Sequence, residues 1–380
     1  MRKYIVQAIA KLFLLVAVST GASAQSGITD STILLGQTAP TKGPFGPLAT
    51  AFTAGINAHL SEVNAKGGVN GRKIQLMSLD DDYNVEKAAV NVNKLIKEDK
   101  VFGLLGVFGT GITGAALEIA EKERVPLVGP YTGADSLRID NKRYYFSVNA
   151  SYVREVEKMI DHMETLGIKS IGVAYLNSAF GKDGLAGAQK AMEKHKLTPA
   201  ALVPLESNAS DVVAAATAMK KANPSVVILL SAGKATLEFI STYRKLGGTS
   251  QFYLMSVADV ESLTKALGAN GIRGITVTQT MPYPWATGNL IAREYQAAMK
   301  AAGQTDFSYT TMQGYISAKT MVAGLRAAGK NPTRESFVAA MENLGRVDLG
   351  GFEMRFSPQQ RHGSSFVDIT MVASDGRFLR

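Results

Sequence analysis

From Ile33 onward, short apolar runs alternate with stretches whose apolar residues recur every three or four positions. Ile33-Leu34-Leu35-Gly36 reads as a first strand, and Leu48, Phe52, Ile56, Leu60 and Val63 as one face of a helix that Lys66-Gly67-Gly68 stops. Ile74 to Leu79 is a second strand, followed by a helix marked by Ala88, Val92, Leu95 and Ile96. The apolar run Val101, Phe102, Leu104, Leu105, Val107 then ends in Gly109-Thr110-Gly111, and Ile112, Ala115, Ala116 and Ile119 begin a third helix. Pro126 to Pro130 is a fourth short strand, leading into Tyr131-Thr132-Gly133. The pattern restarts with an extended Tyr144–Val148 and a helical stripe of Val153, Val156, Met159, Ile160, Met163 and Leu166. Strands follow at Ile171–Leu176, Ala201–Val203, Val226–Leu230, Phe252–Met255 and Ile275–Thr278, with helices between them. After the proline-rich break Met281-Pro282-Tyr283-Pro284-Trp285 come three helical stretches, Leu290–Ala302, Thr310–Ala328 and Arg334–Leu344, and a β-rich tail from Val347. This alternation predicts an α/β protein with parallel sheets covered by helices on both faces, built as two βα series of similar size.

The third unit carries the most chemistry. A strand passing through a glycine-rich turn into a helix leaves unpaired N–H groups and a partial positive charge at one point, a seat for a carboxylate or phosphate. Thr110 adds a hydroxyl there, and Gly109 and Gly111 let a ligand approach the backbone. Two readings compete. Gly109-x-Gly111-x-x-Gly114, with Asp135 further on, matches a dinucleotide fingerprint; the alternative is a pocket for a small free carboxylate such as an amino acid. The fingerprint belongs after the first strand of its fold, whereas this turn follows the third.

The amino terminus sets the compartment. Arg2 and Lys3, the apolar run Leu12–Val18 and Ala22-Ser23-Ala24 form a cleavable export signal over residues 1–24, too short in its apolar part to span a bilayer. Removing it leaves 356 of the 380 residues, enough for two lobes, and lowers the formal charge from +9 to +6. The chain has no cysteine, so neither a disulfide nor a thioether lipid anchor is possible. A free periplasmic protein fits these features. Its basic residues are scattered, with no stripe interleaved with aromatics, which argues against nucleic acid.

Other chemistry is thin. Asp80-Asp81-Asp82 follows the second strand, where adjacent side chains point to opposite sides and favour capping the next turn over gripping one ion. His59, His162, His195 and His362 show no metal spacing, and no serine sits in a G-x-S-x-G elbow. Gly233-Lys234 lacks the earlier glycine of a P-loop. No enzyme, metal or cofactor is expected. Phe45, Tyr131, Tyr152, Phe180 and Ser256 each follow a strand or sit in the loop just after one, where open parallel sheets bind ligands. With the Thr110 turn they outline an anion seat with apolar and aromatic walls.

Phe45-Gly46, the run Asn64-Ala65-Lys66-Gly67-Gly68-Val69-Asn70-Gly71-Arg72, Leu79-Asp80-Asp81-Asp82, the Gly109–Thr113 turn and Ala179-Phe180-Gly181-Lys182-Asp183-Gly184 follow one another in order. Together they closely resemble the leucine/isoleucine/valine-binding proteins of ABC importers, over essentially the whole mature chain. The resemblance implies two doubly wound lobes joined by three crossings (the type I periplasmic binding protein fold), with residues 25–148 and 281–350 in one lobe and 149–280 and 351–380 in the other. It implies a monomer that hands a small carboxylate, a hydrophobic or branched-chain amino acid or a related aromatic or aliphatic acid, to a permease in the inner membrane; a sensor of the same fold feeding a signalling partner, or a secreted NAD-dependent dehydrogenase, is the alternative. Residue by residue, it places the carboxylate at Gly109 and Thr110, further contacts at Tyr131, Thr132 and Gly133, and walls at Phe45, Tyr152, Phe180 and Thr310, with Tyr309 and Gln313 close to the last. Two departures matter. The acid that pairs the ligand ammonium in the family falls on Ser256, with Asp259 three residues later as a substitute, and Gly133 stands in place of a threonine. The resemblance thus supports a carboxylate end more firmly than an α-amino group.

Overall fold

The computed structural model describes residues 27–138 and 142–380; the export signal expected over 1–24 lies outside them. The first half runs β1 (Thr32–Ala39), α1 (Gly46–Ala65), β2 (Lys73–Asp80), α2 (Val85–Lys97), β3 (Gly103–Leu105), α3 (Thr110–Glu123), β4 (Leu127–Val128) and β5 (Tyr145–Phe146). The second continues α4 (Tyr152–Thr165), β6 (Ile171–Leu176), α5 (Ala179–Lys194), β7 (Ala201–Leu205), α6 (Val212–Ala222), β8 (Val226–Leu230), α7 (Lys234–Lys245), β9 (Gln251–Leu254), α8 (Val260–Ile272) and β10 (Thr276–Gln279). The tail adds α9 (Leu290–Ala301), α10 (Tyr309–Ala327), α11 (Arg334–Glu342), β11 (Gly345–Asp348), β12 (Glu353–Phe356), β13 (Asp368–Val372) and β14 (Phe378–Leu379).

Two sheets result. The first has the order β2-β1-β3-β4-β5 and is parallel throughout. The second runs β14-β13-β10-β9-β8-β6-β7, parallel from β10 to β7 and antiparallel where the tail strands join. Strand order reverses between β1 and β3 in one sheet and between β6 and β8 in the other, so each lobe has a crevice beyond its strand ends at that point. Strands such as Val226–Leu230 are buried at every position, as a sheet covered on both faces requires.

The chain passes between the lobes three times, after β5, after β10 and before β13. Hairpin β11–β12 stays with the first lobe: Gly350 accepts a hydrogen bond from the Ile291 N–H of α9 at 2.8 Å, and Met354 meets Thr320 of α10. The third passage therefore follows Phe356 rather than the expected boundary at 350/351. Two passages pair directly. Ser147 N–H donates to the Arg361 carbonyl at 3.1 Å, Gly363 N–H to the Ser147 carbonyl at 2.8 Å, and Ser147 Oγ lies 2.9 Å from His362 Nδ1.

Helices α1 and α10 pack closest in the first lobe because glycines open their contact. A Cβ on Gly55 would lie 1.9 Å from the Thr311 carbonyl oxygen, and one on Gly314 2.0 Å from that of Phe52. In an exposed helix, glycine to alanine gains about 1 kcal/mol; here the helices must separate, at about 1–3 kcal/mol for overpacking. Gly314→Ala is therefore expected to lower the urea midpoint without changing its slope.

The hinge also titrates. Burial, with Arg138 and Arg361 nearby, pushes His362 down from 6.5 to about 3. Between those values the unfolded chain binds a proton that the native state refuses, so this contribution is complete above pH 6.5 and is lost as pH falls through the window. Its slope is at most about 1.4 kcal/mol per pH unit. The difference in unfolding free energy between wild type and His362→Gln, measured from pH 7 to 4, is expected to shrink as the solution is acidified; a constant difference would exclude His362 as the titrating group.

Candidate functional site

The two crevices face each other, and residues from beyond their strands converge on a narrow cleft between the lobes. The first lobe contributes Phe45, Leu48, Tyr83, Phe108, Gly109, Thr110 and Tyr131, and the second Tyr152, Phe180, Ala232 and Val257. No charged side chain is among them. Its lining suits a ligand with an apolar body.

The polar end is built on α3. Gly109 precedes the helix at φ 95° and ψ 150° and supplies no side-chain cap, so the first N–H groups of α3 lack an intrahelical partner. That backbone conformation strongly favours glycine, and a Cβ there would lie 2.6 Å from the Tyr83 ring. Thr110 is buried with its Oγ1 2.8 Å from Thr132 Oγ1. Thr132 Oγ1 also accepts from the Ala134 N–H at 3.2 Å and from the Tyr152 hydroxyl at 3.4 Å. Burial pushes Tyr152 up to about 12, so at neutral pH its hydroxyl keeps its proton and remains a donor.

Tyr83 reaches the cavity through a strained turn. Asp82 and Tyr83 both adopt the left-handed region, at φ 51° and 57°, which costs on the order of 1–3 kcal/mol each. Asp81 holds them there: its buried carboxylate accepts from Thr38 Oγ1 at 2.8 Å and from the Tyr83 N–H at 2.9 Å. Asp80 accepts from the Thr41 and Asp82 N–H groups, while Asn84 caps α2 through the Lys87 N–H at 2.7 Å. The three aspartates shape a turn, and the following helix takes its cap from Asn84. Tyr83 packs 4.1 Å from Phe45, Phe108 stacks on Tyr131 at 4.7 Å and 5°, and Tyr152 meets Phe180 edge-on at 5.3 Å.

Of the residues singled out in the sequence, Phe45, Gly109, Thr110, Tyr131, Tyr152 and Phe180 line the cavity. Thr132 stands behind Thr110, and Thr310 lies behind Tyr131 with its Oγ1 3.5 Å from the phenol oxygen. Gly133 does not reach the cavity. Its carbonyl accepts from the Tyr152 N–H at 2.9 Å, and a Cβ would lie 2.8 Å from the Tyr152 ring, so the tyrosine occupies the space a threonine side chain would need. Ser256 and Asp259 are also absent from the lining. Ser256 donates its N–H and hydroxyl to Glu155 at 2.8 and 2.9 Å, and Asp259 caps α8 through Ser262. Glu155 itself is fully buried, which pushes its carboxyl up, and it also accepts from Thr278 Oγ1. Sequence reasoning missed Leu48, Tyr83, Phe108, Ala232 and Val257. Tyr83, Ala232 and Val257 follow β2, β8 and β9 by two or three residues, the strand-end signal that singled out the others. His195 lies between Asp161 and Glu164 near the far ends of α4 and α5, remote from the cavity.

Two doubly wound lobes joined by three crossings, with a cleft between their strand ends, define the type I periplasmic binding protein fold. Residues 32–377 match the family model for periplasmic binding proteins, and the chain belongs to that family. Leu/Ile/Val-binding protein homolog 7 of Brucella abortus is 24% identical over 385 residues, covering 96% of this chain and 95% of the relative. A substrate-binding periplasmic protein from Ralstonia solanacearum superposes with a TM-score of 0.86 at 30% identity, over 91% of this chain and 99% of its own. An extracellular ligand-binding receptor from Verminephrobacter eiseniae gives 0.86 at 27%, over 92% and 100%. These relatives are binding proteins by name, and among the described residues no helix is long and apolar enough to cross a membrane.

Gly109→Ala is expected to displace the Tyr83 ring and strain the entry to α3. The variant should unfold at a lower urea concentration and bind ligand more weakly, whereas the same change at Gly71, where a Cβ meets nothing within 4 Å, should leave binding unaltered.

Proposed function

We propose that the protein is the periplasmic solute-binding component of an ABC importer, and that its cargo is a small apolar or aromatic monocarboxylate without an α-amino group. The observation that carries this reading is a seat made only of neutral donors. An uncapped helix terminus, the Thr110 hydroxyl and the phenols favour an anion. No carboxylate lines the cavity to pair an ammonium. Burying that cation unpaired would cost several kcal/mol, more than the ~1.4 kcal/mol that separates tenfold steps of affinity. Micromolar binding needs about 8 kcal/mol. Burial of a ring or branched chain supplies roughly 1.5–3 kcal/mol, and hydrogen bonds to the charged end about 1.5–3 kcal/mol each. The first lobe binds the carboxylate, and the second closes by a hinge motion to add the Tyr152, Phe180 and Val257 walls. In this reading residues 1–24 direct export and are removed.

Thermal shifts with leucine, valine and phenylalanine beside 4-methylpentanoate, 3-phenylpropanoate and benzoate test the proposal, since stabilisation follows affinity. The acids lacking nitrogen should raise the melting temperature and their amino-acid counterparts should not. The effect should weaken in Thr110→Ala by about ten- to a hundred-fold in affinity, as for loss of a hydrogen bond to a charged group. Preferential stabilisation by leucine or phenylalanine would reject the proposed cargo.

A further inference from the structure

A polar contact between the lobes lies outside the cavity and beyond the pivot. Asp183, on the first turns of α5, accepts the Asp135 N–H with one carboxylate oxygen at 2.8 Å and the Ser136 N–H with the other at 3.0 Å. These amides open a single helical turn over Asp135–Leu137 that has no side-chain cap of its own. Asp183 thus caps, from the second lobe, a turn of the first.

Its position ties it to the site from both sides. On α5, Phe180 lies one turn earlier and forms a cavity wall. On the other side, Ala134 precedes the capped turn and donates its N–H to Thr132 Oγ1, the partner of Thr110. The Asp135 side chain is in turn held by the Val153 N–H at 3.0 Å. Tyr152 and Val153 leave the first passage directly and sit at the pivot, whereas α5 is reached only through α4 and β6. The Asp183 bonds therefore exist only while α5 lies against the seat.

We propose that Asp183 is an affinity-determining latch: its carboxylate pins the Phe180 wall to the segment that carries Thr132, and so sets how long the closed form persists. The proposal rests on the reading of the protein as a closing binding protein, but not on the identity of its cargo. Asp183 is a positioning residue, and a change there should act on the dissociation rate more than on association.

Asp183→Ala and the milder Asp183→Asn test this with two readouts. Calorimetry with 3-phenylpropanoate should show affinity falling ten- to a hundred-fold in the alanine variant and by less in the asparagine variant, which keeps one acceptor oxygen. The ligand-free melting temperature should be unchanged. Hydrogen–deuterium exchange on the peptide 133–138 of the protein saturated with 3-phenylpropanoate should show faster exchange at residues 135 and 136 in the alanine variant, with peptides from β3 and β4 unaltered. Wild-type affinity in Asp183→Ala, or equal exchange at 135–136 in both proteins, would overturn the latch. If leucine or phenylalanine binds wild type in place of the monocarboxylates, the proposed cargo fails, and the same affinity and exchange comparisons made with that amino acid decide on Asp183. Should the alanine variant not fold, Asp183→Asn carries both readouts.

Discussion

The amino end of α3 is buried between two lobes and begins with donors that nothing among the described residues caps. Exposed, such donors would be satisfied by water; enclosed, each costs roughly 1–3 kcal/mol if left unmade. Much of the surrounding architecture follows from keeping that end open. Gly109 removes the side chain that would cap it and takes a backbone angle that other residues resist. Thr110 turns its hydroxyl to Thr132, holding it in a fixed orientation without neutralising the helix end. Tyr83 is carried over Gly109 by two left-handed residues, a strain tolerated because the buried Asp81 grips both the turn and β1 through Thr38.

A seat of neutral dipoles has consequences that an arginine would not. A guanidinium in the same place would need a counter-charge whenever the cavity stood open to no ligand. Backbone N–H groups and hydroxyls ask less of the empty state, because water can serve them. The selectivity that results is one of sign and shape. In the proposed function the helix end selects the anion, and the paired rings Phe45–Tyr83, Phe108–Tyr131 and Tyr152–Phe180 select a flat or branched apolar body.

Much of this was legible in the amino-acid sequence because parallel α/β folds write their elements as alternating periods. The fully buried runs such as Val226–Leu230 and the striped helices such as α4 fall where the hydrophobic pattern puts them. The junction at Gly109 was legible for the same reason, since an apolar run that stops in glycines and restarts with helical spacing marks a strand turning into a helix. What the sequence concealed was depth. Ser256 and Tyr83 both stand just beyond strands, yet one turns its hydroxyl onto a buried glutamate and the other crosses the cavity. Strand-end position assigns a residue to the crevice but not its side chain to the ligand, because that choice depends on partners distant in the chain, such as Glu155, one hundred and one residues from Ser256. The third passage was misplaced by similar logic: a β-rich tail reads as one unit, and only the packing of Gly350 on α9 shows that its hairpin stays behind.

Glu155 explains why the loss of an acid at Ser256 does not simply leave a hole to be filled by another. The second lobe does hold a carboxylate behind this loop, but three donors from Ser256 and Thr278 surround it, and no part of it is exposed. Turning it toward a ligand ammonium would break those bonds and leave the Ser256 and Thr278 donors unpaired in the interior, a larger loss than one ion pair returns. The acid is therefore committed to structure: it ties α4, which carries Tyr152, to the loop that carries Val257, so both walls come to the cavity as one unit. In the proposed function a carboxyl that could recognise an amino group instead fixes the apolar surface, and the cavity discriminates by fit where a pocket with a free carboxylate would discriminate by charge.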